Sequence, residues 1–249
     1  REPMKIQKTF LLVIVAAALL LSACTGLTMA SSWPGLSVQQ DTVYVSYGNG
    51  VMAVKAADGS QVWRVPEKPD PARQYFAAPS FLNGQVLVGD YDKTLYSLDA
   101  ATGAEKWNFA EAQGRYIAGA LVAGETILAS SVDNTMYALN TQGRVEDKFP
   151  VQADIWAAPV TDGTLVYVAA MDHNLYAVRL KGLDPVWSVN LGAAVLSAPA
   201  LSSDGMLYAA TMGKEVVAVE ASGGAVVWRF TTTGILWASP VVKDGVVYI

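Results

Sequence analysis

The chain has 249 residues, 52% of them hydrophobic and 16% charged, with a formal net charge of −5, one histidine and one cysteine. That length suffices to bury a large core. The scattered acidic balance argues against nucleic acid as a partner, and the lone cysteine rules out an intrachain disulfide framework.

In chain order, Arg1-Glu2-Pro3 precede Met4, which is the expected start. Lys5 and Lys8 form a short positive region, residues 10–21 are apolar, and Leu21-Ser22-Ala23-Cys24 follows. The apolar run is short for a membrane span and fits the core of an export signal. Leu-Ser-Ala-Cys is the form of a bacterial lipoprotein signal, so residues 1–23 are expected to be removed, Cys24 lipidated, and residues 24–32 to form a tether. Thr25 follows the cysteine, so the aspartate that retains some lipoproteins at the inner membrane is absent. The expected location is the cell envelope outside the cytoplasm, on the outer membrane or the outer face of the cytoplasmic membrane. Attachment there would come from acyl chains rather than a basic patch.

From residue 33 a unit of about forty residues repeats. One register runs through Pro79, Gly119, Pro159, Pro199 and Pro240. A second runs through Tyr44, Leu87, Leu128, Tyr167, Tyr208 and Tyr248. A third is Trp63, Trp107, Trp187 and Trp228, with Asp147 where the third copy lacks its tryptophan. Each copy divides into four apolar runs separated by turn residues. In the second copy these are 76–82, 85–89, 94–98 and 105–109, broken at Asn83-Gly84, Asp92-Lys93 and Ala101-Thr102-Gly103. Such runs read as strands joined in hairpins. They barely alternate, as in Leu165-Val166-Tyr167-Val168-Ala169, so they should be covered on both faces. A ring of four-stranded sheets stacked face to face meets that need. The expected fold is therefore an all-β propeller over residues 33–249. Five blades and part of a sixth are expected, a portion of a seven- or eight-bladed ring.

No Trp-Asp dipeptide occurs and only one Gly-Gly, at Gly223-Gly224, which disfavours the WD and kelch types. The second copy reads Leu98-Asp99-Ala100-Ala101-Thr102-Gly103-Ala104-Glu105-Lys106-Trp107. This resembles the repeat motif of the PQQ-like, or quinoprotein-type, propeller family. The resemblance covers residues 33–249. It implies that Trp63, Trp107, Trp187 and Trp228 dock neighbouring blades. Enzymes of that family hold a quinone with calcium, acidic ligands and a pair of adjacent cysteines, whereas this chain has no such pair. Other members are non-enzymatic lipoproteins that use the same blades as a scaffold.

No set of catalytic groups emerges from the sequence. His173 lies in the turn Asp172-His173-Asn174, where other copies have Lys93, Asn134 and Lys214, and reads as a turn residue rather than a zinc ligand or base. Asp92, Asp133 and Asp172 recur at that turn and suit turn formation more than calcium binding. Gly48-Asn49-Gly50 is followed by a strand, not the helix a dinucleotide site needs. No catalytic, cofactor or metal site is therefore assigned, and PQQ with calcium belongs only to the alternative of a quinone-dependent dehydrogenase. Three residues before each residue of the first register stand Phe76, Tyr116, Trp156, Leu196 and Trp237. If these ring a channel mouth, Phe76, Tyr116, Trp156 and Trp237 are the candidate contacts for a partner. The expected function is a protein-binding scaffold whose partners are envelope or outer-membrane proteins, with glycan binding as a further alternative.

Overall fold

A computed structural model describes residues 35–68, 70 and 73–249. The signal segment, Cys24 and the tether lie outside the described residues. Among those described there are only strands, turns and irregular segments, and no helix. The first sheet holds β1 (Gly35–Gln39), β2 (Thr42–Tyr47), β3 (Gly50–Lys55) and β4 (Gln61–Val65). The second holds β5 (Ser80–Leu82), β6 (Gln85–Gly89), β7 (Leu95–Asp99) and β8 (Glu105–Phe109). The third holds β9 (Leu121–Ala123), β10 (Thr126–Ser131), β11 (Thr135–Leu139) and β12 (Val145–Pro150). The fourth holds β13 (Val160–Thr161), β14 (Leu165–Ala169), β15 (Asn174–Arg179) and β16 (Pro185–Asn190). The fifth holds β17 (Ala200–Leu201), β18 (Met206–Ala210), β19 (Glu215–Glu220) and β20 (Val226–Thr231), and β21 (Val241–Lys243) pairs β22 (Val246–Tyr248) alone.

Every sheet is a sequential antiparallel meander. The first strands of neighbouring sheets approach one another, β5 with β9, β13 with β17 and β17 with β21. They are the inner strands of propeller blades. In the second copy the inner strand starts at Ser80, not at residue 76 as the apolar run suggested. Pro79 cannot donate to a ladder, and the segment before it turns inward instead.

The turns explain much of the composition. Asn83 and Gly84 have φ of 48° and 72°, and Asp244 and Gly245 have 51° and 75°, the two-residue hairpin geometry that Asn-Gly and Asp-Gly favour. At the next turn Lys93, Asn134, His173 and Lys214 all have φ between 65° and 72°. His173 thus occupies a strained turn position that a lysine or an asparagine fills in other blades. A left-handed L-residue costs roughly 1–2 kcal/mol. Lys214→Gly, set against the backbone entropy glycine adds, is expected to stabilise by about 0.5 kcal/mol, read as a higher urea midpoint, and Lys93→Gly should do the same.

The core is a series of slabs between adjacent blades. Val86 and Val88 of β6 face Tyr44, Val51 and Trp63 of the first blade, while Leu87 faces Ile127 and Tyr137 of the third. Leu128 and Met136 meet Val166 and Val168, and Tyr167 and Leu175 meet Leu207 and Val217. Successive residues of one strand thus enter different slabs, and for that reason the strands lack a polar face. Each fully buried aliphatic side chain contributes about 1.5–3 kcal/mol.

Three of the four register tryptophans reach the turn of the following blade. Nε1 of Trp63 donates to the Ala100 carbonyl at 2.9 Å, that of Trp107 to Thr141 at 3.0 Å, and that of Trp187 to Ala221 at 3.0 Å. Trp228 packs on Tyr208 with ring centroids 5.7 Å apart and is 39% exposed. Asp147 holds the tryptophan's register, opposite Ala138, as Trp107 stands opposite Ser97. Between the third and fourth blades, where that tryptophan is missing, Leu183 is buried, with φ of 46°. It stands where other turns place a glycine under the preceding blade's tryptophan, as Gly103 lies under Trp63 and Gly224 under Trp187, so the two departures from the repeat meet at one interface.

Candidate functional site

At the end of the propeller where the β6–β7 type of turn lies, each blade is entered by a short irregular segment. These lead-ins are clamped to the neighbouring hairpin by repeated backbone bonds. Tyr91 N donates to Gln74 O at 2.8 Å, Val132 N to Arg115 O at 3.2 Å, Met171 N to Asp154 O at 3.0 Å, and Met212 N to Ala194 O at 2.9 Å. The next residue plugs the slab between blades: Tyr75, Tyr116, Ile155 and Val195 are all buried. The residue after that faces the axis.

This alternation assembles a cavity of about 470 Å³ lined by Phe76, Tyr91, Arg115, Ile117, Trp156, Leu196, Trp237 and Ala238. Phe76, Trp156 and Trp237 of the sequence-derived set are therefore brought together, with Leu196. Tyr116 is not. It is 1% exposed and packs behind the wall against Gly89, where any side chain would collide with its ring. The register residue of the third copy is Ala120, immediately before β9, rather than Gly119. The connection 110–120 is longer than 151–159, which moves the inward-facing residue to Ile117. Arg115 and Tyr91 were not legible as site residues, because their positions carry different residue types in other copies. Counting back from Leu121 instead of from the glycine would have found Ile117.

The wall is aromatic with one cation. Phe76 meets Tyr91 edge to face at 4.8 Å, and the Arg115 guanidinium lies over the Tyr91 ring, 5.1 Å from its centroid. Burial pushes the Tyr91 hydroxyl up and Arg115 pulls it down, so its ring stays neutral beneath a permanent charge. Among the described residues no carboxylate pairs with Arg115. Nε1 of Trp156 donates to Asp154 Oδ2 at 3.3 Å, which fixes the indole plane. Trp237 is 58% exposed. Large aromatic surface of this kind, beside an unpaired guanidinium, suits contact with a polypeptide.

Among the described residues no three His, Cys, Asp or Glu side chains gather as a metal site would require. Two of the three recurring aspartates are engaged in the turns: Asp133 Oδ2 accepts from Tyr137 Oη at 2.7 Å and Gln113 N at 2.7 Å. Asp172 Oδ2 accepts from Tyr176 Oη at 2.7 Å and Gln152 N at 3.0 Å. Burial and that aspartate push the Tyr176 hydroxyl up to about 12, so the bond persists across ordinary pH.

Meander blades with indole-capped turns define a PQQ-like β-propeller. Residues 23–118 and 184–249 match the family described as outer membrane protein assembly factor BamB, and the chain belongs to that family. It is 24% identical over 233 residues to BamB of Nitrosomonas eutropha, covering 91% of this chain and 56% of that one. It is 27% identical over 194 residues to BamB of Moranella endobia, covering 72% and 48%. It is also 22% identical over 227 residues to the tetrathionate hydrolase of Acidithiobacillus ferrooxidans, covering 77% and 46%. The chain spans about half the length of these relatives. The crystal structure of BamB from Moraxella catarrhalis superposes with a TM-score of 0.67 at 19% identity, covering 80% of this chain and 62% of that one.

Proposed function

We propose that this chain belongs to an extracytoplasmic propeller, lipid-anchored through Cys24, that binds an envelope protein at its channel mouth and serves outer-membrane protein assembly rather than turning over a substrate. The observation that carries this reading is the mouth cavity, where Phe76, Trp156 and Trp237 converge beside the unpaired Arg115. Three relatives named as assembly factors support the role. Crosslinking in the native envelope tests it. Adducts with an outer-membrane assembly protein should form and should weaken when Trp156 and Trp237 become alanine.

The relative named as a hydrolase keeps an enzymatic reading in view, as does the quinone-dependent dehydrogenase of the wider family. Incubation with PQQ and calcium separates the readings. The scaffold reading expects no stoichiometric quinone binding and no dye reduction with alcohols or sugars. The anchor has its own test: metabolic labelling with a fatty acid should mark the wild type and be lost in Cys24→Ser.

A further inference from the structure

Four equivalent positions close the second strands of the second to fifth blades: Asp90, Ser131, Ala170 and Thr211. All four are 0% exposed, and only Asp90 can ionise. Thr211 shows how a polar side chain serves the turn there, since its Oγ1 bonds both the amide and the carbonyl of Glu215, four residues on. Asp90 Oδ1 meets the same need by accepting from Thr94 N at 2.8 Å. Its Oδ2 has no hydrogen-bond partner, and the repeat gives no reason for it.

Asp90 also joins the two lead-ins that build this side of the mouth. Tyr75 bridges to it, its carbonyl accepts from Tyr116 N at 3.0 Å, and its own amide donates to Thr94 O at 2.9 Å. The residue after it is Tyr91, the ring on which Arg115 lies. The residues after Tyr75 and Tyr116 are Phe76 and Ile117. The main chain of Asp90 thus joins both lead-ins that carry this part of the cavity wall, and its buried carboxyl holds the turn between them through Thr94 N.

We propose that Asp90 is a proton-controlled latch: uncharged, it locks the turn 90–94 and both lead-ins in place, and ionised, it loosens them and withdraws Tyr91 and Arg115 from the cavity wall. A carboxylic acid needs one acceptor for its proton, whereas a carboxylate needs donors at both oxygens. The ionisable groups facing it are the hydroxyls of Tyr75, Tyr96 and Tyr116 and the carboxylate of Asp92 on its own turn. Arg73 lies over Tyr96, 5.4 Å from the ring centroid, and does not neutralise Asp90. Burial, opposed by the Thr94 amide and the Tyr96 hydroxyl and aided by Asp92, raises the carboxyl's pKa. A raised folded-state pKa means the latch is fully set at low pH and is lost as pH rises through the shifted value.

Amide hydrogen exchange of the whole chain, corrected for the intrinsic pH dependence of exchange, tests the latch without any partner. Its outcome is therefore separate from that of the binding role. Protection at Tyr91, Thr94 and Tyr116 is expected to fall as pH rises from about 5 to about 8. Protection at Met171 and Met212, clamped by the same backbone bond in other blades, should stay level. In Asp90→Asn, and in Asp90→Ser, which introduces the residue that Ser131 supplies in the third blade, all five amides should be level. Protection at Tyr91, Thr94 and Tyr116 that is constant in the wild type, or that falls equally at Met171 and Met212, would overturn the proposal. So would an equal fall in the uncharged variants.

Discussion

Replacing Trp63 by alanine is expected to destabilise the propeller by about 3–5 kcal/mol, the range for a buried tryptophan truncated in a core. Trp63 is 6% exposed, packs on Tyr44 with centroids 5.8 Å apart and donates its Nε1 proton to Ala100 O in the next blade. Truncation loses that packing, leaves the Ala100 carbonyl with one fewer donor and opens a cavity between two blades. The partner of the indole is Gly103, with φ of 74° and a Cα whose added Cβ would lie 2.8 Å from the ring. Gly103→Ala alone should cost about 1–3 kcal/mol through left-handed strain and overpacking. In the double variant the overpacking disappears, so the costs should sum to less than the separate values. Urea midpoints of the four proteins measure this. Full additivity would show that the indole does not seat on that turn.

Trp156→Ala combined with Trp237→Ala is expected to weaken binding of the envelope partner by about 30-fold or more, since a central aromatic anchor contributes about 2 kcal/mol or more. The fold should survive, because Trp237 is more than half exposed and Trp156 faces the cavity rather than a slab. Tyr116→Ala should do the reverse. Its ring fills the slab behind the wall, so stability falls by about 3–5 kcal/mol, while the aromatic side chains that line the cavity are retained. Isothermal titration beside a urea melt separates the two kinds of variant. Equal loss of affinity in both would mean that the mouth responds only to global stability.

The strand pattern was legible because local chemistry repeats. Asn83-Gly84 and Asp244-Gly245 require a tight turn wherever they stand, and the Thr102-Gly103 turn recurs with a tryptophan four or five residues beyond the glycine. The third copy misled because Gly119 and Ala120 are both small and the proline that marks the register elsewhere is absent. A one-residue slip there exchanged Ile117, which faces the cavity, for Tyr116, which is buried. The pairing of Asp147 with Leu183 was invisible for another reason: both are local irregularities that meet only across an interface. Arg115 and Tyr91 belong to different blades, and only ring curvature stacks one on the other. Asp90 reads in the sequence as one more turn aspartate beside Asp92, and its complete burial follows from packing by both lead-ins.

Site-specific photo-crosslinking in the living envelope tests the binding role of the mouth most directly. A photoreactive residue replaces Trp237 at the mouth in one strain and Gln142, on the opposite end with the β11–β12 turn, in another. The account predicts a discrete adduct with an outer-membrane assembly protein from the Trp237 position, and none from Gln142. An adduct from Gln142 alone, or none from Trp237 in a strain where the protein is folded and present, would contradict it.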